Sequence, residues 1–559
     1  MRLLNIVIIM LLLIPLVHAK SGKMSLLTVG GPDETKGGVA DLFLEVKPGK
    51  GTIYIDSFPL TKLDTQISTR FANEVACDFL KKDCSKYDFF YTIRAKATIV
   101  GGPSAGAAIT VLTISVLSDL ELDENTILTG TINSGGLIGP VAGINKKIEA
   151  AIDNDFTKVL IPKWQSSLNI SKIEEKKLDK KITIVKVKNL EEALYHLTGK
   201  DFSRVDQNVA VLKEYSNRME EVAETLCQRS QDILLKINET NSSLYTIAEN
   251  FLNRSEDAKI KNYYYARASY CFSANLRLRD IEFSNKSIEE LQNLYNETKE
   301  DLKSVKESVY QKNLTTLSDL ETYMVVKERL SEAEGHFDTI TYENVSSSVL
   351  AYTKERLFSA VTWSKFFGLK GRKTELDENH LKNGCLKKIA EAEERINYAE
   401  LYLPGFLGAT KEIVEDAFEN YNQGEFALCI FKASKAKAEA NILLTALAIH
   451  EDEMENVLEE KFEAIKKVIL EQEAKKIFPI LGYSYFEYSR SLIDYDIVLS
   501  LTFAEYALEL SKLDMYFPTK KRISINIDPA GIQTFLFGFV IGAALVLLIT
   551  LRKRKKSRF

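Results

Sequence analysis

The chain has 559 residues, of which 45% are hydrophobic and 27% charged, a balance that excludes a largely disordered protein and, at about 150 residues per domain, suggests three or four domains. Arg2 and the six basic residues after Leu551 lie in terminal segments without acidic residues. The rest of the chain therefore contains 66 of the 73 Lys and Arg residues and all 78 Asp and Glu residues, which makes it acidic. That acidic balance excludes broad nucleic-acid binding, which needs a basic surface.

The first predicted element is a secretory signal peptide over residues 1–19. Arg2 precedes an apolar run from Leu3 to Val17, and Val17-His18-Ala19 has the usual cleavage spacing, with Lys20 as the first mature residue. An uncleaved N-terminal anchor is the alternative that the sequence leaves open.

Residues 24–199 mix strand, helix and turn patterns, which predicts one α+β domain. Leu42–Val46 and Thr52–Asp56 flank a segment with glycine and proline, a pattern that predicts a hairpin. Residues 91–99 alternate apolar and polar side chains, as a half-buried strand does. Ala105–Leu117 is rich in small and apolar residues and predicts a helix.

The segment Gly102-Pro103-Ser104-Ala105-Gly106 lies between that strand and that helix. Ser104 would therefore stand near a helix N-terminus, where unpaired backbone N–H groups favour a developing oxyanion. A nucleophilic serine needs a base. The only histidine between residues 20 and 199 is His196, at the far end of a terminal helix, which argues against a Ser-His-Asp triad.

Lysine is the alternative base. Lys146 and Lys147 begin a helical stretch beside the apolar residues Val141, Ile144 and Ala151. Burial disfavours the ammonium form and so lowers the pKa of a lysine towards the working pH. One of the two adjacent lysines can point inward while its neighbour points to solvent.

These residues together resemble the proteolytic domain of Lon, a Ser-Lys peptidase family. The order and separation of three segments match the family motif: Gly102 to Gly106, then Thr129-Gly130, then Pro140-Val141-Ala142-Gly143 with Lys147. The resemblance runs from about Leu26 to Leu197 and implies a Lon-type fold.

The resemblance also implies roles for individual residues. Ser104 would be the nucleophile and Lys147 the general base, with Gly102-Pro103 shaping the serine segment and nearby backbone N–H groups forming the oxyanion hole. Thr129 would orient the lysine, although an ordinary strand threonine is an open alternative. Lys146 is expected to be an exposed neighbour.

The sequence departs from the family pattern at a few positions. Gly101 replaces the acidic residue before Gly-Pro-Ser, and Ala142 and Asn145 replace a glycine and a common lysine. No Gly-x4-Gly-Lys-Ser/Thr phosphate loop occurs in the sequence, so we expect no ATP-driven motor. We also expect no cofactor or metal: His450-Glu451 does not begin a zinc site, because Met454 stands where a second histidine would be required.

Residues 200–518 predict an all-α region, because neither glycine nor proline occurs from Lys200 to Glu334. Further on, Phe426–Leu444 and Val498–Leu513 place alanines and large apolar residues at helical spacing. Degenerate helical-hairpin repeats and an irregular helical bundle are both open.

Six cysteines fit an oxidising compartment. Their spacing favours three bridges among the 15 pairings that six cysteines allow: Cys77–Cys84, Cys227–Cys271 and Cys385–Cys429. Eight Asn-x-Ser/Thr sequons are candidate surface glycan sites: Asn169, Asn238, Asn241, Asn253, Asn285, Asn296, Asn313 and Asn344.

The C-terminal end predicts a membrane anchor. After a juxtamembrane linker over residues 519–531, residues 532–551 carry no charge and are long enough to cross about 30 Å of hydrocarbon as one transmembrane helix. The basic tail, residues 552–559, would be cytoplasmic by the positive-inside rule. The expected location is therefore the cell membrane, with most of the chain outside the cytoplasm and the bilayer as a partner.

The sequence favours a membrane-anchored, ATP-independent Ser-Lys endopeptidase, archaeal in type, that acts outside the cytoplasm on unfolded or flexible polypeptide segments or on itself. Polypeptides would be its partners, with a homo-oligomer as a further option; nucleic acid and ATP would not be partners. The alternative is a cell-surface binding or scaffold protein whose Lon-like domain is catalytically inert.

Overall fold

A seven-stranded mixed sheet organises the N-terminal part of the chain within the described residues. The computed structural model describes residues 20–30, 36–58, 60–95, 102–165, 182–202, 209, 211–237, 242–401, 403–449, 451–517, 542 and 546. The strands are β1 (Lys20–Gly30), β2 (Lys36–Pro48), β3 (Ile53–Phe58), β4 (Tyr87–Ala95), β5 (Thr126–Leu128), β6 (Thr131–Ile132), β7 (Ile138–Gly139), β8 (Lys158–Pro162) and β9 (Thr183–Val187). Their order in the sheet is β3-β4-β2-β1-β5-β8-β9, and β6 and β7 form a separate antiparallel pair.

The predicted hairpin of β2 with β3 is wrong, although both strands exist. Strand β4 lies between them, antiparallel to β2 and parallel to β3. The connecting turn closes on the start of β4: Gly49 N–H donates to Lys86 O at 2.8 Å, and the Asp88 carboxylate accepts from the N–H groups of Lys50 and Thr52. Those contacts come from residues more than 30 positions away, which turn composition alone does not reveal.

Helices cover both faces of the sheet, as parallel strands require. Helices α1 (Leu63–Leu80), α2 (Gly106–Ser118) and α4 (Leu190–Thr198) pack on one face, and α3 (Ile144–Asp153) packs on the other. Successive strand residues alternate between the two cores, so that Leu26 belongs to one and Leu27 to the other. The α/β architecture expected for this part of the chain is confirmed.

The rest of the described chain is helical, as predicted. Its helices are α5 (Lys213–Leu234), α6 (Ser243–Ile260), α7 (Tyr264–Ser284), α8 (Ile288–Tyr310), α9 (Leu317–Phe337), α10 (Ser347–Trp363), α11 (Glu378–Glu400), α12 (Gly408–Asn422), α13 (Phe426–Ala448), α14 (Met454–Ala474), α15 (Ile480–Leu492) and α16 (Ile497–Leu510). One apolar core runs from Tyr215 to Phe517, and the hydroxyls of Tyr215 and Ser484 share a hydrogen bond at 2.7 Å. Contacts between segments so distant in sequence favour the irregular bundle, because repeats contact only their neighbours.

Two buried glutamates cap helices in this bundle. Glu487 on α15 accepts hydrogen bonds from the N–H groups of Tyr265 and Ala266 at the start of α7, at 2.6 and 3.2 Å. Glu321 on α9 accepts from the N–H of Leu481 on α15 at 2.8 Å. Burial raises the pKa of each carboxyl to about 8, outweighing the N–H donors, which favour the carboxylate.

All six cysteines are bridged, in the pairs Cys77–Cys84, Cys227–Cys271 and Cys385–Cys429 that their spacing favoured. The sequon asparagines 253, 285, 296, 313 and 344 are exposed, whereas Asn169, Asn238 and Asn241 lie outside the described residues. The predicted signal peptide, residues 1–19, also lies outside them.

The transmembrane helix in the predicted fold class needs correction. Across the stretches with described coordinates, no helix has both the length and the apolar character needed to cross a bilayer. Residues 518–559 form a unit of their own, in which only Gly542 and Val546 are described; the remaining residues of the predicted linker, span and tail lie outside the description. The supported architecture is an α/β domain followed by a large all-helical region.

Candidate active site

Ser104 lies in a short 3₁₀ turn, Pro103–Ala105, that leads directly into α2. The preceding Gly102 has φ +97° and ψ 152°, a backbone conformation that side-chain-bearing residues rarely adopt. The N–H of Gly106 donates to the carbonyl oxygen of Pro103. The serine is partly exposed, so a substrate chain has access to this turn.

Three side chains at the start of α1 hold this turn. The Asp64 carboxylate accepts a hydrogen bond from Gly102 N–H at 2.9 Å. The hydroxyl of Thr65 donates to Gly102 O, and that of Ser68 to Pro103 O, each at 3.4 Å. The sequence reasoning missed all three, because an acidic residue in the first turn of a helix is ordinary and carries no specific signal.

Thr129 and Gly130 hold the turn from the opposite side. Gly130 N–H donates to Ser104 O at 3.0 Å, and Gly130 O accepts from Ala107 N–H at 3.0 Å. Thr129 directly follows β5, and its N–H donates to Leu160 O on β8 at 3.1 Å. The Thr129 hydroxyl is 3.3 Å from Ser104 O, to which it donates. The end of β5 and the serine turn are therefore bonded to each other.

Lys147 completes the arrangement from α3. Its side chain is buried, with 2% of the residue exposed, and its Nζ donates to Thr129 Oγ1 at 3.3 Å. A hydroxyl can accept this bond while donating to Ser104 O. Lys146 is only partly buried, so the inward-pointing lysine of the pair is Lys147.

A glycine allows α3 to approach the sheet this closely. A Cβ atom on Gly37 of β2 would lie 2.0 Å from the carbonyl oxygen of Lys146, a separation that no side chain tolerates. The absence of a side chain at Gly37 thus allows the helix that carries Lys147 to pack directly against the sheet. The structure thus brings together Ser104, Thr129 and Lys147, while Gly101 lies outside the described residues.

The helical region contacts α1 from Arg70 to the end of the helix, and Lys81 just after it. Its charged residues pair with α1 residues in a row of five contacts: Glu394 with Arg70, Arg395 over the Phe71 ring, Lys437 with Glu74, Lys512 with Asp78, and Glu471 with Lys81. Burial acts to lower the pKa of Lys437, but the carboxylates of Glu391, Glu509 and Glu74 raise it well above its usual value. The α1 helix is therefore held at both ends.

A second contact holds the β6–β7 pair that follows Thr129. Ser134, at the tip between these strands, donates to the carboxylate of Glu505 on α16, at 2.8 Å to its nearer oxygen. Lys461 on α14 donates to Ser134 Oγ at 3.2 Å and also pairs with Glu505. The side chains of Lys461 and Glu505 are fully buried.

Within the residues whose positions are given, no group of three or more His, Cys, Asp or Glu side chains is arranged to hold a metal ion.

Comparison with known proteins shows which protein family part of the α/β domain matches. Residues 67–199 match the Lon protease (S16) C-terminal proteolytic domain. The chain is 27% identical over 187 residues to a Lon protease of Fervidobacterium nodosum, covering 33% of this chain and 23% of that protein. It is 36% identical over 119 residues to an archaeal Lon protease of Methanothermobacter thermautotrophicus, covering 21% and 18%.

The resemblance to the Lon proteolytic domain is therefore confirmed, and it supports a Ser-Lys serine endopeptidase. The chain spans about a fifth of the length of these curated relatives. The family match covers residues 67–199 of the α/β domain, and the helical region lies beyond those residues.

Proposed function

We propose that the α/β domain is a Ser-Lys endopeptidase in which Ser104 attacks a peptide carbonyl and Lys147 accepts the serine proton. The observation that carries this proposal is the buried amine of Lys147, hydrogen-bonded to Thr129, whose hydroxyl in turn bonds to the backbone of Ser104. Lys147 can accept the serine proton only as the neutral amine, which is the form this mechanism requires.

The backbone around the serine suggests the oxyanion donors. The N–H groups of Gly102, Gly106 and Ala107 already donate to protein oxygens, and Pro103 has none. We therefore assign the oxyanion hole to the N–H groups of Ser104 and Ala105, at the start of α2.

The reaction then follows ordinary acyl transfer. The serine oxygen forms a bond to the carbonyl carbon while Lys147 takes the proton and later passes it to the leaving amine. The acyl-enzyme is hydrolysed by a water whose proton returns to the lysine, which restores the serine hydroxyl. Thr129 keeps the amine directed towards the serine throughout.

Substrates would be unfolded or flexible segments, or parts of the chain itself. The sequence contains no phosphate-loop motif with which this chain could drive unfolding by ATP hydrolysis. We also place the protein's work outside the reducing cytoplasm, because three disulfides persist most readily in an oxidising compartment. Maleimide labelling of native protein from lysed cells tests this: labelling of all six cysteines would contradict it.

The direct test of catalysis is hydrolysis of casein and of a peptide library by the purified chain, compared with Ser104→Ala and Lys147→Ala. Lys146→Ala is the matched control, since it removes a neighbouring lysine from the same helix turn. We expect the first two variants to lose activity and the control to retain it. Activity that survives in both Ser104→Ala and Lys147→Ala would exclude this mechanism.

A serine-reactive phosphonate separates the enzyme from an inert scaffold. Labelling of Ser104 is expected to rise with pH and to be lost in Lys147→Ala. If no labelling occurs between neutral and moderately alkaline pH, the scaffold function is favoured. Mass spectrometry of the intact chain against Ser104→Ala then shows whether the protein cleaves itself.

A further inference from the structure

We propose that Asp64 is a positioning residue for Ser104, which extends the proposed peptidase function and rests on it. Asp64 lies in the first turn of α1, 38 positions before Gly102 in sequence. Its role would be to fix the peptide that enters the serine turn, so that the hydroxyl and the oxyanion donors keep one arrangement.

Both carboxylate oxygens of Asp64 are engaged. Oδ2 accepts from Gly102 N–H at 2.9 Å, while Oδ1 accepts from the N–H of Thr65 at 2.6 Å and from its hydroxyl at 3.2 Å. The bonds to Thr65 fix the carboxylate on its own helix, so the oxygen that meets Gly102 is already oriented. Charge-assisted bonds of this kind are about twice as strong as neutral ones.

Gly102 is the residue that most needs such a bond. Its φ of +97° lies in a region that glycine enters freely, but glycine can also leave it freely. Among the described residues, nothing lies within 4 Å of where a Cβ at this position would be, so none of them holds the conformation by packing there. The hydrogen bonds between α1 and Gly102 therefore restrain the Gly102 backbone, and Asp64 accepts the bond from its N–H.

The sequence gives a reason for this arrangement. The acidic residue expected immediately before Gly-Pro-Ser is replaced by Gly101. Asp64 brings a carboxylate to the same segment from another element. The α1 helix is in turn anchored on the helical region by pairs such as Glu74 with Lys437 and Asp78 with Lys512, each at 2.8 Å. Asp64 therefore lies on a helix whose other end is held by ion pairs with the helical region.

The test compares the full chain with Asp64→Ala and Asp64→Asn, with Gln66→Ala as an exposed control in the same turn of α1. The readouts are kcat and KM on a peptide substrate, the pH profile of kcat/KM, and hydrogen exchange of the peptide covering residues 102–107. The amide of Asn has one acceptor oxygen, so that variant can keep the bond from Gly102 N–H while it gives up the bond from Thr65 N–H and removes the charge.

We expect Asp64→Ala to lower kcat about 10- to 100-fold with little change in KM, because a misplaced nucleophile costs transition-state stabilisation. Exchange over residues 102–107 should become faster. Asp64→Asn should restore most of kcat, leave the pH profile unmoved and protect the segment better than Asp64→Ala does, because the bond from Gly102 N–H can remain.

Unchanged exchange in Asp64→Ala would overturn the proposal, and so would a kcat within twofold of wild type in an active enzyme. An Asn variant as impaired as the Ala variant, with a displaced pH profile, would also overturn it, by showing that the charge acts on the chemistry directly. If the wild type neither cleaves nor takes the phosphonate, the peptidase proposal fails, while the exchange measurement still decides whether Asp64 holds the segment.

Discussion

Lys461→Met removes one side of a fully buried ion pair that joins the helical region to the α/β domain. Lys461 and Glu505 have no exposed side-chain surface, and both contact the hydroxyl of Ser134. The substitution would leave the Glu505 carboxylate buried without its cation. Breaking a buried pair in this way costs about 3–5 kcal/mol, because the remaining charge keeps its desolvation penalty and loses its compensation.

The double variant Lys461→Met, Glu505→Leu separates the cost of an unpaired buried charge from the net contribution of the ion pair to the free energy of unfolding. Replacing both charges by apolar groups of similar volume is often neutral, or stabilising by about 1–4 kcal/mol. We therefore expect the double variant to be more stable than either single one. Ser134→Ala, which removes the hydroxyl that donates to Glu505 and accepts from Lys461 but leaves the ion pair, should cost about 1–3 kcal/mol.

Thermal unfolding and limited proteolysis measure these effects. If residues up to Phe517 unfold as one unit, the single variants should melt about 3–5 °C below wild type. Cleavage in the segment between β6 and β7 should become faster, because its anchor is lost. The reasoning is refuted if Lys461→Met melts with the wild type, or if the double variant loses as much stability as the two single variants added together.

Three further predictions concern the site, the pH dependence of stability and the disulfides. Thr129→Val should lower kcat about tenfold by removing the hydroxyl that orients the lysine amine, whereas Thr129→Ser should retain activity; equal activity in both would remove Thr129 from the mechanism. The folded-state pKa of about 8 at Glu321 and Glu487 lies above the usual 4.5, so the stability that each of these groups contributes should be fully present below pH 4.5 and be lost as pH rises to about 8, by up to about 5 kcal/mol per group. Denaturation at several pH values checks this, and the variants Glu321→Gln and Glu487→Gln should flatten the curve. Replacing Cys227 and Cys271 by serine should cost about 4 kcal/mol because that bridge closes a 44-residue separation, against about 2 kcal/mol for the bridge that spans seven.

Expectations that depended on neighbouring residues agree with the structure. Ser104 precedes a buried apolar helix, as the small residues after it indicated, and Lys147 rather than Lys146 faces inward. The helical character of the segment without glycine or proline holds for the same reason, since helix formation is decided by residues within a few positions. The predicted hairpin failed because β4, more than 30 residues later in the chain, pairs with both strands.

The amino-acid sequence by itself determined which chemical groups are available: a serine at a helix start, an adjacent pair of lysines on an amphipathic helix, and six cysteines spaced for three bridges. Only the tertiary structure decided how those groups are held. Asp64 reaches Gly102 across 38 positions, and Ser134 reaches Glu505 across 371. Such contacts arise where separately formed elements pack together, and no local pattern of residues encodes which partner a polar side chain will meet.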